Sequence, residues 1–111
     1  MSMEEKLEEI SRKLREKDID IGHLIKDIIL WTKLLIHTAE PCAEPKRIFE
    51  LWALIWHIHD MIDRELSKEK RRKLSLEEFN EIIDTLVRYE NESLAKVIDI
   101  LKEKCGCKFR S

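Results

Sequence analysis

The chain has 111 residues, of which 40% are charged and 43% hydrophobic, and its formal net charge is -2. This length suits one domain with a modest core, and the nearly balanced charge creates no global field that would attract nucleic acid or an acidic membrane. Two glycines and two prolines leave little material for turns, which favours a few long helices over many short strands.

The location and source are suggested by composition alone. The N-terminal segment is charged and no apolar run reaches about 18 residues, so the sequence predicts neither a secretory signal nor a membrane span. We therefore expect a cytoplasmic protein. Glutamine is absent and asparagine occurs only at Asn80 and Asn91, whereas lysine, arginine and glutamate are abundant. Because few thermolabile amides among many charges are typical of hyperthermophile proteins, a thermophilic source is a hypothesis.

The first part of the chain contains two apolar patterns at helical spacing. One runs from Met3 to about Glu16, and a broader one runs from about Ile21 to Thr38. Between them, Asp18 or Asp20 is a candidate N-cap for the second helix, because an aspartate there accepts a hydrogen bond from the first turn.

A third helix is predicted from about Lys46 to Leu66, after a break marked by Pro41 and Pro45. Its apolar residues follow a 4-3-4-3-4 spacing, which is typical of a packing seam. The seam consists of Ile48, Trp52, Ile55, His59, Ile62 and Leu66. The second and third helices are apolar over more surface than one small bundle needs to bury, so we expect a homodimer.

The last helical pattern follows a charged connector from Ser67 to Lys73. Ser75 and Glu78 have the spacing of a capping box, which predicts a helix start. The polar patch from Arg88 to Ser93 leaves open whether the following segment forms one helix or two. The sequence therefore predicts an all-α fold, with one domain over residues 1–111 packed as a bundle of four or five helices.

The three cysteines form an odd set, which does not suggest a secreted disulfide scaffold. Cys105 and Cys107 lie in a predicted flexible tail over 105–111, where the C-x-C pair could bind a soft metal or exchange thiols. A frayed tail with two thiols is the commoner explanation. A disulfide to Cys42 requires the last segment to be one continuous helix, because only then does it return to the loop that contains Cys42.

The two histidines of the third helix do not form a simple chelate. His57 and His59 are two residues apart, which separates them by about 200° around a helix. His59 belongs to the seam, where a packed and hydrogen-bonded histidine is the expected state. Its neighbour at helical spacing is Asp63, but two ligands do not make a metal site.

Two segments carry a resemblance to a known family. Residues 50–61 read ELWALIWHIHDM, and after the connector residues 76–86 read LEEFNEIIDTL. Together they resemble the all-α nucleoside triphosphate pyrophosphohydrolases, which are the MazG-like and phosphoribosyl-ATP pyrophosphohydrolases, over about residues 20–90. The resemblance implies a MazG-like bundle, usually oligomeric, whose carboxylates hold Mg²⁺ and so help water to attack a triphosphate.

The family pattern places candidate metal ligands at Asp27 and Glu50. The family opens its long apolar helix with Glu-x-x-Asp, but Ala53 stands where the aspartate is expected, and the preceding helix supplies a single acid where the family has three. This departure does not favour ordinary catalysis, and no catalytic residue is assigned. Asp60 and Asp63, one turn apart, are the alternative Mg²⁺ pair, unless they form a solvated helix end.

Phosphate contacts are expected from Lys26 and from Lys70, Arg71 and Arg72, unless the last three belong to an ordinary solvated connector. Two functions therefore stay open. One is a divergent pyrophosphohydrolase relative that binds a nucleotide with Mg²⁺. The other is a non-catalytic helical protein whose apolar faces serve interaction and oligomerisation.

Overall fold

The computed structural model describes residues 2–105. Over this range the chain forms four α-helices and no strand, which confirms the all-α prediction. They are α1 (Met3–Glu16), α2 (Gly22–Ala39), α3 (Pro45–Lys70) and α4 (Leu76–Cys105). Most of the predicted tail, including Cys107, lies outside the described residues.

The turn between α1 and α2 is fixed by the end of α1. Asp18 adopts a left-handed conformation with φ 60°. Its N–H donates to the Arg15 carbonyl at 3.0 Å, and the Ile19 N–H donates to the Leu14 carbonyl at 2.9 Å. This is the Schellman arrangement that satisfies the last carbonyls of a helix. The predicted aspartate cap of α2 is therefore wrong, since the N-cap is Ile21 and no side chain caps that helix.

Helix α3 is longer than its apolar pattern predicts. It begins at Pro45, in the first-turn position that proline favours. It ends at Lys70 rather than Leu66, so part of the predicted connector is helical. The added turn contains Lys68 and Lys70, and positive charge at this end interacts favourably with the negative pole of the helix dipole.

Helix α4 is a single helix that begins at the predicted capping box. The Glu78 N–H donates to Ser75 Oγ at 3.1 Å, and the Ser75 N–H donates to Glu78 Oε1 at 3.1 Å. The polar patch does not break the helix. Its members Tyr89, Glu90 and Ser93 are buried, so they belong to the packed face of α4.

The four helices enclose one core. Helix α2 packs against α1, α3 and α4, and α4 also packs against α1 and α3. The most deeply buried apolar side chains include Leu7, Ile25, Ile28, Leu35, Ile55, Ile62, Leu66, Leu86 and Val97. Across the part of the chain that the structure describes, none of the helices is long and apolar enough to cross a membrane.

A disulfide joins the loop between α2 and α3 to the last residue of α4. Cys42 and Cys105 are bonded, with their Cα atoms 5.5 Å apart and 63 positions apart in sequence. Because α4 runs without a break, its end returns to this loop. The disulfide therefore forms in the topology for which the sequence predicted it to be possible. A cross-link over this separation is worth about 4 kcal/mol in the chain-entropy account of disulfide stabilisation.

Candidate functional site

The packing seam of α3 predicted from the sequence lies at the centre of the bundle, and we call it the inner seam. Its members are Ile48, Trp52, Ile55, His59, Ile62 and Leu66. All are buried except Trp52, which is half-buried. The inner seam therefore serves packing within the chain.

The polar member of the inner seam is paired with a residue of α4. His59 Nδ1 lies 2.5 Å from Glu90 Oε1, and the Glu90 side chain is fully buried. The hydrogen bond to Glu90 raises the pKa of His59, which burial opposes, and the charges of Glu90, Asp63 and Asp60 raise it further. Glu90 Oε2 is buried without a hydrogen-bond partner among the described residues. His59 is therefore a packed, hydrogen-bonded histidine, as predicted.

An aromatic group leads from this buried pair to the surface. The His59 and Trp56 rings are tilted against each other with centroids 5.0 Å apart, and Trp56 and Trp52 meet edge to face with centroids 5.9 Å apart. Trp56 is 41% exposed, and Phe49, two turns earlier on α3, is 70% exposed. The inner contacts hold the Trp56 ring in place while they leave much of its surface open to solvent.

These exposed aromatics belong to a second stripe on α3, which we call the outer seam. It consists of Lys46, Phe49, Ala53, Trp56 and Asp60, at 3-4-3-4 spacing. Ala53 is exposed, like Phe49 and Trp56. Spacing of this kind keeps residues on one side of a helix and is the spacing of helix–helix interfaces. The outer seam is thus a ready packing surface that no helix of the described chain covers.

A polar cleft lies where the start of α2 meets the second half of α3, with a volume of about 600 Å³. Asp20, Asp63 and Glu65 contribute carboxylates, and Arg64 and Lys68 contribute positive charge, with Lys68 Nζ donating to Glu65 Oε1 at 3.1 Å. The cleft therefore brings one of the alternative metal ligands, Asp63, close to cations. Its partner Asp60 forms an ion pair with Arg64 at 2.8 Å.

The metal pair expected from the resemblance lies on the surface. Asp27 is exposed on α2, and Glu50 is exposed on α3, where it lies 3.9 Å from Arg47. Asp27 lies about 18 Å from the end of α2, and Glu50 lies about 8 Å from the start of α3, so they differ by about 10 Å in height along the bundle. Among residues 2–105 no group of three or more His, Cys, Asp or Glu side chains could hold a metal ion. The pair stays a prediction.

The predicted phosphate ligands lie on two elements, α2 and the end of α3 with the turn that follows it. Lys26 is exposed on α2. Lys70 ends α3, with its ammonium 5.0 Å from the centre of the Phe79 ring, a cation–π contact with α4. Arg71 and Arg72 are exposed in the turn that follows. Lys70 thus has a structural contact with α4, and the phosphate role stays a prediction.

Glu90 is the functional candidate that reasoning from the sequence missed. It lies in a stretch that looks like a polar interruption of α4. The signal that could have found it is spacing, because Leu86, Glu90, Ser93 and Val97 follow a 4-3-4 pattern that places all four on the buried side. His59 would then have been expected to find its partner there.

Comparison with known proteins adds no family to this description. No protein-family model, no curated protein and no solved structure matches the chain. The resemblance to the pyrophosphohydrolases therefore depends on the residue pattern alone.

Proposed function

We propose that this chain is a helical interaction protein that associates through the outer seam of α3. The observation that carries the proposal is the exposure of Phe49 (70%) and Trp56 (41%) on either side of exposed Ala53. Clustered exposed apolar side chains mark interaction sites on soluble proteins. Aromatic residues are also enriched at the centres of protein interfaces.

The outer seam is rigid, which favours binding. It lies within a helix of 26 residues whose opposite side is buried. Trp56 is positioned by its contacts with Trp52 and His59. A surface that is already ordered loses little conformational entropy when a partner covers it, so more of its contact energy appears as affinity.

The partner that suits the outer seam is another helical surface with the same kind of stripe. The seam runs along one side of α3, and it has an apolar centre with one charged residue at each end. Such a stripe fits a helix laid along it better than it fits a compact ligand, which requires a concave site. A second copy of this chain offers such a stripe, so the proposal predicts self-association.

The test is the molecular mass in solution, measured by sedimentation equilibrium over a range of concentrations. At about 100 µM, we expect a mass near twice 13.3 kDa. Phe49→Ser should return the protein to the monomer mass. Leu76→Ser is the matched control, because Leu76 is 58% exposed but lies at the start of α4, and its mass should equal that of the wild type. A wild-type monomer at every concentration would contradict the proposal.

The polar cleft favours a second candidate, which is a divergent pyrophosphohydrolase relative that binds a nucleotide with Mg²⁺. Mg²⁺ is commonly held by one or two carboxylates together with substrate phosphates, and Asp20 and Asp63 are carboxylates of the cleft that would take this role. Arg64 and Lys68 supply charge for the phosphates, and apolar residues that include Met61 also line the cleft. The metal would neutralise phosphate charge and activate water, while these side chains would orient the triphosphate.

This candidate is tested by thermal melting and pyrophosphate release with nucleoside triphosphates, with and without Mg²⁺. Binding should raise the melting temperature as the ligand saturates the site. Asp63→Asn should remove the Mg²⁺-dependent part of the shift, whereas Asp84→Asn, on an exposed part of α4, should not. If Asp27→Asn or Glu50→Gln removes it instead, the site is the one expected from the family pattern. No shift and no turnover would reject the second candidate.

A further inference from the structure

The charges at the two ends of the outer seam have opposite signs and equal spacing from its centre. Lys46 lies seven residues before Ala53, and Asp60 lies seven residues after it, so each is about 10.5 Å from Ala53 along the helix. Phe49 and Trp56 lie between them, one on each side of Ala53. The seam therefore has the order cation, aromatic, small residue, aromatic, anion.

We infer that the outer seam selects a second copy of this chain in antiparallel orientation, with Lys46 and Asp60 as the residues that set orientation and register. The inference rests on the proposed function and names its partner. A two-fold axis at Ala53 brings Lys46 of each copy opposite Asp60 of the other. It also brings Phe49 of each copy to within one residue of the level of Trp56 of the other.

The small residue, the aromatic residues and the end charges of the outer seam all suit this pairing. Ala53 has the smallest side chain of the outer seam, so it lets two helix axes approach closely at the crossing point. The aromatic residues on either side can meet edge to face, which is the arrangement that their rings favour. Charges at the rim of an interface fix register and exclude wrong pairings more than they add affinity. Asp60 Oδ2 forms an ion pair with Arg64 at 2.8 Å, which leaves Asp60 Oδ1 for Lys46 of the other copy.

A parallel pair would lose this match. In that orientation Lys46 faces Lys46 and Asp60 faces Asp60, so both ends of the seam place like charges together. The same aromatic core would be buried, but with repulsion at each end. Reversing one charge should therefore weaken an antiparallel pair, whereas it should leave a parallel pair unchanged because like charges still face each other.

The experiment measures the dimer dissociation constant at low salt for Lys46→Asp, Asp60→Lys and the variant with both changes. Each single change places like charges opposite each other at both ends of an antiparallel dimer, so we expect dissociation constants about tenfold higher than that of the wild type. The double variant restores opposite charges at both ends and should bind nearly as tightly as the wild type. Lys26→Asp, the same charge change on α2, is the control and should leave the constant unchanged.

Other outcomes separate the two ideas. If the wild type dimerises through Phe49 but the single variants bind as tightly as it does, antiparallel pairing is overturned and the proposed function stands. A double variant as weak as the single variants overturns the pairing in the same way. A wild-type monomer at every concentration overturns both. Unchanged thermal melting of dilute monomer shows that each variant is folded.

Discussion

The inner and outer seams of α3 differ in what covers them. The inner seam is packed within the chain, and its apolar members other than Trp52 are buried. The outer seam lies about a third of a turn away around the same helix, and it exposes Phe49, Ala53 and Trp56 to solvent. Both follow the spacing of a packing surface. Spacing therefore predicts that a surface is suited to packing, but it does not say whether the partner is in the same chain.

The composition of the two seams explains the difference. Branched aliphatic residues dominate the inner seam, where they fill a core, and its one polar member has a buried partner in Glu90. The outer seam has one small residue between two aromatic ones, and charges close both ends. Charged ends keep such a surface soluble while it is unpaired, and they can be satisfied when it is covered.

The strongest test of the inner seam is His59→Ala. It leaves Glu90 fully buried without its partner, so we expect the free energy of unfolding to fall by about 3–5 kcal/mol. His57→Ala, two residues away and exposed, should change it by less than about 0.5 kcal/mol. Urea denaturation measures both. Equal losses of stability in the two variants would show that His59 is not the buried member of the seam. Replacing both His59 and Glu90 by Leu should recover most of the stability that His59→Ala loses.

An aliphatic pair at neighbouring positions gives the next largest contrast. Ile62 has no exposed surface and Met61 is 40% exposed. Ile62→Ala removes buried methyl groups and leaves a cavity, so it should cost about 3 kcal/mol. Met61→Ala should cost less than about 1 kcal/mol. Thermal and urea unfolding of the two variants compare the covered and the open side of α3 directly, and similar losses would contradict the assigned burial.

The inner seam should also make stability depend on pH. Glu90 raises the pKa of His59 in the folded state, above about 6.5 in the unfolded chain. The stabilisation from the protonated histidine is therefore complete below about pH 6.5 and is lost as the pH rises through the folded-state pKa. The melting temperature of the wild type should therefore fall as the pH rises through the folded-state pKa of His59. Glu90→Gln should flatten this dependence and His57→Gln should keep it, and an unchanged slope in Glu90→Gln would assign the effect elsewhere.

The smallest effect on the fold is expected at the outer seam. At about 1 µM, Phe49→Ser should change the free energy of unfolding by less than about 0.5 kcal/mol, because the side chain is exposed in the monomer. At about 100 µM the wild type should become more stable than the variant, since association stabilises the folded state by mass action. Equal stability at both concentrations would mean that nothing covers the seam.

Much of the fold could be predicted from the sequence, because long apolar patterns and a capping box define helices locally. The starts of α1, α2, α3 and α4 lie within one residue of expectation. The end of α3 was set too early, because the polar residues from Ser67 to Lys70 carry no apolar pattern yet are compatible with helix. The predicted cap of α2 by Asp18 or Asp20 was wrong, because Asp18 is used to end α1 and α2 begins after Ile21 with no side-chain cap.

The candidate sites could be predicted less well, because they depend on which helices meet. The burial of His59 followed from its place in the seam, but Glu90 was hidden in a polar stretch and is identified only by its partner across the bundle. The sequence predicted surplus apolar surface on α2 and α3, but it did not distinguish the outer seam. The exposure of Phe49 and Trp56 in the structure identifies that seam. A dimer remains a prediction.

The bond between Cys42 and Cys105 turns most of the bundle into a covalent ring. A force applied through the two chain ends passes across this bond and bypasses α3 and α4, whereas α1 and α2 lie in the load path. When the bundle is stretched, the segment between Cys42 and Cys105, a separation of 63 positions, therefore cannot extend while the disulfide is intact. Reduction releases about 210 Å of extra contour length, so single-molecule pulling with and without a reductant would report the bond as a difference in length.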